Sequence, residues 1–151
     1  GKAFGTFGSF VSGDDALVET LFQSARTYSY TTAIPPAVAA ATLASLRIVE
    51  AADERRAHMR ALIRRFRAGA ADLDAELMAS DTPIQPLVVG SAERALAASE
   101  GLLGRGLLVT AIRPPTVPPN TARLRVTLSA AHTEDHVDRL LDALRGELGR
   151  S

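Results

Sequence analysis

The hydrophobic period of this chain changes near residue 80, and that change restricts the folds open to it more than any other feature. Before it, apolar residues recur at helical spacing. After it, short apolar runs bounded by Pro and Gly alternate with helical stretches. Strands interleaved with helices call for a sheet with helices laid on it. We therefore expect a helical first part over 1–80 and an α/β second part over 81–148, in the order β-α-β-β-α. The last two strands should pair antiparallel.

In the first part, Ser9–Ser12 reads as a short strand closed by Gly13. Asp14 is a good N-cap for a helix over about 15–25, marked by Leu17, Val18, Leu21, Phe22 and Ala25. Residues 26–36 break the pattern with a run of hydroxyls and two prolines, which implies an ordered loop. Pro36 suits the first turn of the next helix. Residues 37–50 are rich in Ala and Leu and nearly uncharged, which implies a helix buried on several sides. A polar step at 51–54 leads into a long helix over about 53–78, with Met59, Leu62, Ile63, Phe66, Ala70, Leu73 and Leu77 as its apolar stripe. Its arginines at 55, 56, 60, 64, 65 and 67 read as a solvated face. Acids at 50, 53, 54, 72, 74 and 76 balance them, and no aromatic residues interleave for base stacking.

In the second part, Ile84–Val89 reads as a strand whose Pro86 implies an edge position or a bulge. Ser91 caps a helix over about 92–103, closed by Gly104 and Gly106. Leu107–Ile112 is the next strand, followed by a stiff loop, Arg113–Asn120, with four prolines. Residues 123–128 alternate polar and apolar as a half-exposed strand does. Thr133 caps the last helix, with Glu134 and Asp135 in its first turn. Val137, Leu140, Leu141, Leu144 and Leu148 form its core stripe.

Composition removes several function classes. The 151 residues suit one domain or one and a half small ones, and 46% are hydrophobic, enough for a core. Seventeen basic and seventeen acidic residues cancel, so no global field draws in nucleic acid or an anionic membrane. No cysteine is present, which excludes disulfides and thiolate chemistry. No apolar run approaches the roughly 20 residues of a membrane span, and no secretory signal pattern is found. A start inside Gly1-Lys2-Ala3-Phe4-Gly5, with no methionine, reads as a fragment. His132 and His136 have i, i+4 spacing, but His132 precedes the cap and Thr133-Glu134-Asp135 matches no zinc-protease pattern, so no metal site is expected. His58 is expected on the exposed side of its helix. A phosphate-binding P-loop is excluded, because Lys2 is followed by alanine. No Gly-x-Ser-x-Gly elbow exists.

Three features remain that carry chemistry. Lys2 is the only lysine, set among glycines at 1, 5, 8 and 13 with Phe4, Phe7 and Phe10 as apolar walls. An ammonium beside apolar surface is poorly solvated, which favours the neutral amine that a Schiff base requires. Arg113 precedes prolines that fix its backbone, so its guanidinium has a set direction for gripping a carboxylate through two hydrogen bonds. Thr31-Thr32 offers hydroxyls to phosphate oxygens. Each also has a plain alternative: a frayed terminus, a surface ion-pair partner, a capping loop.

Taken in order, these segments resemble a known family. They are Gly1-Lys2-Ala3-Phe4-Gly5 with Gly8, Tyr30–Pro36, Ile84–Gly90, Val109–Pro118, and Ala122–Arg125 through Ser129-Ala130-Ala131-His132. Together they resemble the C-terminal portion of the α-oxoamine synthases, with Arg113-Pro114-Pro115-Thr116-Val117-Pro118 the most specific piece. The resemblance implies an α/β fold-type-I enzyme dependent on pyridoxal 5'-phosphate (PLP) and working as a cytoplasmic homodimer. Residues 1–50 would be the end of the large PLP-binding domain with an interdomain helix, and 51–151 the small domain. Lys2 would match the Schiff-base lysine, and Thr32 the threonine that reaches the cofactor phosphate of the neighbouring subunit. Arg113 would match the arginine for a substrate carboxylate, and Thr116 a residue of the acyl path. The implied reaction is a decarboxylative condensation of L-alanine with a pimeloyl thioester, on CoA or a carrier protein, in biotin biosynthesis. A relative using glycine or serine with another acyl-CoA is the alternative, and a non-catalytic α/β binding module is the second. The family's ring-stacking histidine, its pyridine-nitrogen aspartate and the threonine before the lysine have no counterpart here, so the isolated chain is expected to bind PLP poorly and to be inactive.

Overall fold

Asp14 adopts extended backbone and its carboxylate accepts the Leu17 N–H at 2.8 Å, starting helix α1 (Asp15–Ser24). This and the rest of the fold come from a computed structural model, which describes residues 1–149. The chain divides into two units, Gly1–Asp53 and a second that begins at Glu54.

In the first unit α1 is followed by a short helix α2 (Arg26–Ser29) and by α3 (Pro36–Glu50), which opens with Pro36 in its first turn as expected. Helix α2 overturns the expectation of an unbroken loop over 26–36. The Phe22 and Tyr28 rings lie 5.0 Å apart, and that pair favours one more helical turn across the break at Ala25. Residues 9–12 form no strand, since every ladder of the described residues lies between Glu76 and Thr127 and gives them no partner. Helix α3 forms where expected, but none of its residues is buried. Its alanines and leucines have no second layer within this unit, so composition predicted the helix correctly and its burial wrongly.

The second unit carries the core. Helix α4 (Asp53–Gly69) ends nine residues before the expected 78. Ala70 and Leu73 stay buried, but through a turn in which the Leu73 N–H donates to the Ala70 carbonyl. Apolar spacing alone does not separate those two backbones. Gly69 sits against Leu141, and a β-carbon there would collide with that side chain, so α4 approaches the last helix closely at this point. A two-residue strand β1 (Glu76–Leu77), missed in the sequence, then pairs with β2 (Ile84–Gly90).

Ser91 caps α5 (Ala92–Gly104), and Gly106 at φ 77° turns the chain out of it. The next strand, β3, covers only Thr110–Ile112 rather than 107–112. Residues 107–109 bond to α5 instead: the Leu107 N–H donates to the Leu102 carbonyl, and Ser99 Oγ donates to the Val109 carbonyl at 2.6 Å. Strand β4 (Ala122–Thr127) pairs antiparallel with both β2 and β3, in the sheet order β1-β2-β4-β3. Thr133 caps α6 (Glu134–Leu148), with the His136 ring accepting the Thr133 N–H in return.

The expected edge position for Pro86 is not found: β2 lies between β1 and β4. The missing N–H is managed locally. The Met78 N–H donates to the Pro86 carbonyl, while the Met78 carbonyl, left without the reciprocal donor, accepts Arg67 Nη1 at 3.0 Å. The register shift falls between Val88 and Gly90 rather than at Pro86. One sheet face, with Gln85, Leu87, Val89, Ala122, Leu124 and Val126, is buried against α4, α5 and α6. Arg67 therefore serves structure, and Arg65 bonds Asp138 and Glu134, while Arg55, Arg60 and Arg64 form the solvated face expected. His58 is half-buried rather than exposed, its Nε2–H donating to the His132 carbonyl at 2.8 Å.

Candidate functional site

Lys2 and Thr32 belong to the first unit, Arg113 and Thr116 to the second. Lys2 opens a tight turn closed by the Gly5 N–H donating to the Lys2 carbonyl at 3.0 Å, with Gly5 at φ 63°. Helix α3 holds this turn. Ser45 Oγ donates to the Phe4 carbonyl at 2.7 Å. Thr42 Oγ1 gives its proton to the Val38 carbonyl, so Thr6 Oγ1 is the donor in its 3.1 Å bond to Thr42 Oγ1. Sequence reasoning missed Thr42 and Ser45 as positioning residues. The signal was present: they are the two hydroxyls of an otherwise apolar helix segment, three residues apart and so on one face.

The phenylalanines do not wall in Lys2, which is exposed. Phe4, Phe7 and Phe10 instead line a groove of about 620 Å³ with Ile34, Leu43 and Leu46. Helix α3 is the apolar surface within their reach. Thr31, at a bend, and Thr32 are exposed in the loop before Pro35.

In the second unit Arg113 and Thr116 are brought together. They are the ends of one turn, closed by the Thr116 N–H donating to the Arg113 carbonyl at 3.1 Å across the cis Pro114–Pro115 peptide. A second turn follows at once. The Thr121 N–H donates to the Pro118 carbonyl at 3.2 Å, with Asn120 at φ 60°, the left-handed position that asparagine tolerates. Both turns lie in the connection between β3 and β4, where Ile112 stands opposite Arg123. Arg113 and Thr116 are exposed.

Among the described residues no group of three or more His, Asp or Glu is placed to hold a metal ion, and no helix is long and apolar enough to cross a membrane. The Nδ1 atoms of His132 and His136 accept the Ser129 and Thr133 N–H groups, so both rings serve the start of α6.

Residues 1–144 match the aminotransferase class I and II family, and the chain belongs to it. Its fold is the mixed α/β fold of fold-type-I PLP enzymes. Among named relatives, the chain is 67% identical over 144 residues to the 8-amino-7-oxononanoate synthase of Thioalkalivibrio sulfidiphilus, a match covering 95% of this chain and 37% of the relative. Among solved structures, the 8-amino-7-oxononanoate synthase of Francisella tularensis superposes with a TM-score of 0.84 at 32% identity, covering 97% of this chain and 43% of that one. A serine palmitoyltransferase variant from S. paucimobilis, solved with a bound PLP–myriocin aldimine, gives a TM-score of 0.86 at 27% identity, over 95% of this chain and 37% of that one. The chain thus spans a little over a third of the length of the curated relative it matches. The resemblance to the α-oxoamine synthases read from the motifs is borne out.

Proposed function

We propose that this chain carries the lysine-bearing and carboxylate-binding parts of an 8-amino-7-oxononanoate synthase. The reaction is the decarboxylative condensation of L-alanine with pimeloyl-CoA or a pimeloyl carrier protein, releasing CO2 and the free thiol, in biotin biosynthesis. The observation that carries the reading is the 67% identity over 95% of the chain to an enzyme of that name. The enzyme acts as a cytoplasmic homodimer, with residues 1–50 closing the large domain and 51–151 forming the small one.

The donor set fits PLP. Lys2 is the one side-chain amine able to form a Schiff base, it is exposed, and its turn is tied to α3. Thr32 supplies an exposed hydroxyl for the phosphate of a cofactor held by the neighbouring subunit. When bound, PLP supplies an electron sink for the carbanion beside the amino group. Lys2 Nζ anchors the cofactor and takes the α-proton of alanine as general base. Arg113 binds a substrate carboxylate through its planar fork. Thr116, three residues on, lines the acyl path.

The test is a chimera in which this chain replaces the matching stretch of the Thioalkalivibrio enzyme. Thiol and CO2 release should depend on alanine and fall away with glycine or serine. Lys2→Ala should lower turnover by about 10²–10⁴-fold, the span of a lost general base. Borohydride reduction with PLP should place the adduct on Lys2 alone. Full turnover in the Lys2→Ala chimera, or a preference for serine, overturns the reading.

A further inference from the structure

We infer that Arg123 is a positioning residue for the Arg113–Thr116 turn, and through it sets how tightly this site holds its carboxylate-bearing and acyl substrates. The inference rests on the function proposed above. It starts from a mechanical problem. The chain leaves β3 at Ile112, opposite Arg123, and nine residues, beginning with Arg113, then run before it rejoins the ladder at Ala122, opposite Gly90 of β2. Four of those nine are prolines, which donate no backbone hydrogen bond. Two backbone bonds, Thr116 N–H to Arg113 O and Thr121 N–H to Pro118 O, close the two turns, but neither ties the loop back to the sheet.

Arg123 makes that tie. Its Nε–H donates to the Thr121 carbonyl at 3.0 Å and its Nη2–H to Thr121 Oγ1 at 3.1 Å. One guanidinium edge thus grips both oxygens of a single threonine. The Thr121 hydroxyl, having accepted from Arg123, passes its own proton to the Pro118 carbonyl at 2.8 Å. The chain of bonds runs from strand β4 through Thr121 into the second turn, and Val117 alone separates that turn from Thr116. On its other edge Arg123 Nη1 meets Met78 Sδ at 3.1 Å, so the side chain is held from both sides, and it is half-buried. A fork locked in this way restricts the loop without touching substrate. Lysine, a single flexible point charge, does not reproduce it.

The test uses Arg123→Met, Arg123→Lys and Thr121→Val. Thr121→Val removes the accepting hydroxyl and leaves the ladder alone, and Met78→Leu is the control that removes the sulfur contact only. In the full chain, amide exchange at Thr116 and Thr121 should quicken by about tenfold in Arg123→Met, the scale of one lost charged hydrogen bond. It should quicken less in Arg123→Lys and Thr121→Val, and stay unchanged in Met78→Leu. In the chimera described above, Arg123→Met should raise KM by about tenfold with kcat little changed, because a loosened substrate anchor removes binding common to ground and transition states. Exchange at Thr116 that stays at the wild-type rate in both Arg123→Met and Thr121→Val overturns the inference. So does a kcat loss with KM unchanged. An unvaried chimera without activity defeats the proposed reaction, and the exchange arm then still decides the role of Arg123.

Discussion

The two units are built from equally good local signals and differ in what those signals are allowed to bury. In the first, α1 has its Asp14 cap and α3 its leading proline, yet no residue before Leu62 is buried, and Phe7, Phe10, Phe22, Leu43 and Ile48 are all more than half exposed. In the second, one continuous core runs from Leu62 to Leu148 through three helices and one sheet face. Capping and proline placement make helices. Only a second layer turns an apolar face into stability. The proposed chemistry straddles that difference: Lys2 and Thr32 stand on the unit without a core, Arg113 and Thr116 on the unit with one.

The sharpest way to break this comparison is to delete equal chemistry from each unit. Phe66 is fully buried in α4, and Phe66→Ala should cost about 3–5 kcal/mol. Leu43, 58% exposed in α3, should cost within about 0.5 kcal/mol when cut to alanine. Urea unfolding with amide exchange followed at Leu124 for the second unit and at Leu46 for the first measures both. A Leu43→Ala loss as large as that of Phe66→Ala would mean that the first unit has a core after all.

The same contrast explains what the sequence disclosed. Signals local to a few residues were legible: the caps at Asp14, Ser91 and Thr133, Pro36 at the start of α3, and the α6 stripe Val137–Leu148. Signals that depend on a partner were not. Residues 9–12 have strand composition and no strand to pair with, and 107–109 spend their bonds on α5 rather than on the ladder. Residues 70–77 keep helical apolar spacing while the backbone turns and pairs with β2. For the candidate site, Lys2 and Arg113 stood out by residue type and neighbours. Of their supports, Thr42 and Ser45 showed only as two hydroxyls on one face of an apolar helix and Arg123 not at all, because composition does not say which partner, 36, 41 or 2 residues away, a side chain will meet.

A finer break concerns the polar part of the second unit's core. Gln85 is fully buried, yet every polar atom of its amide is used. Oε1 accepts Arg67 Nη1 at 2.8 Å, and Nε2 donates to the Ser80 and Thr82 carbonyls at 3.2 and 2.7 Å. Gln85→Leu strands those carbonyls and should cost about 1–3 kcal/mol. Arg67→Met should cost a similar amount, since it also abandons the Met78 carbonyl beneath Pro86. The double variant should lose less than the two singles added together, because both remove the same bond. Strict additivity would mean that Arg67 and Gln85 act separately, and that the short β1 pairing stands without them.

The smallest expected effect asks whether surface charge, rather than core, distinguishes the second unit. Arg65 grips Asp138 through one guanidinium edge, Nε to Oδ1 and Nη2 to Oδ2, each at 2.7 Å, and so ties α4 to α6. Its hydrogen bonds hold the Asp138 carboxyl below the usual value near 3.8. A depressed folded value means that the contribution is present above that usual value and is lost as the pH falls through the lower folded one. Asp138 is 45% exposed, so water and salt screen the pair. The Tm gap between the wild type and Arg65→Met should therefore be modest at neutral pH, narrow in acid, and narrow again in high salt. A gap that ignores both acid and salt would assign the role of Arg65 to its aliphatic stem lying along α4 and α6. A gap rivalling that of Phe66→Ala would show that charge, and not the core, separates the two units.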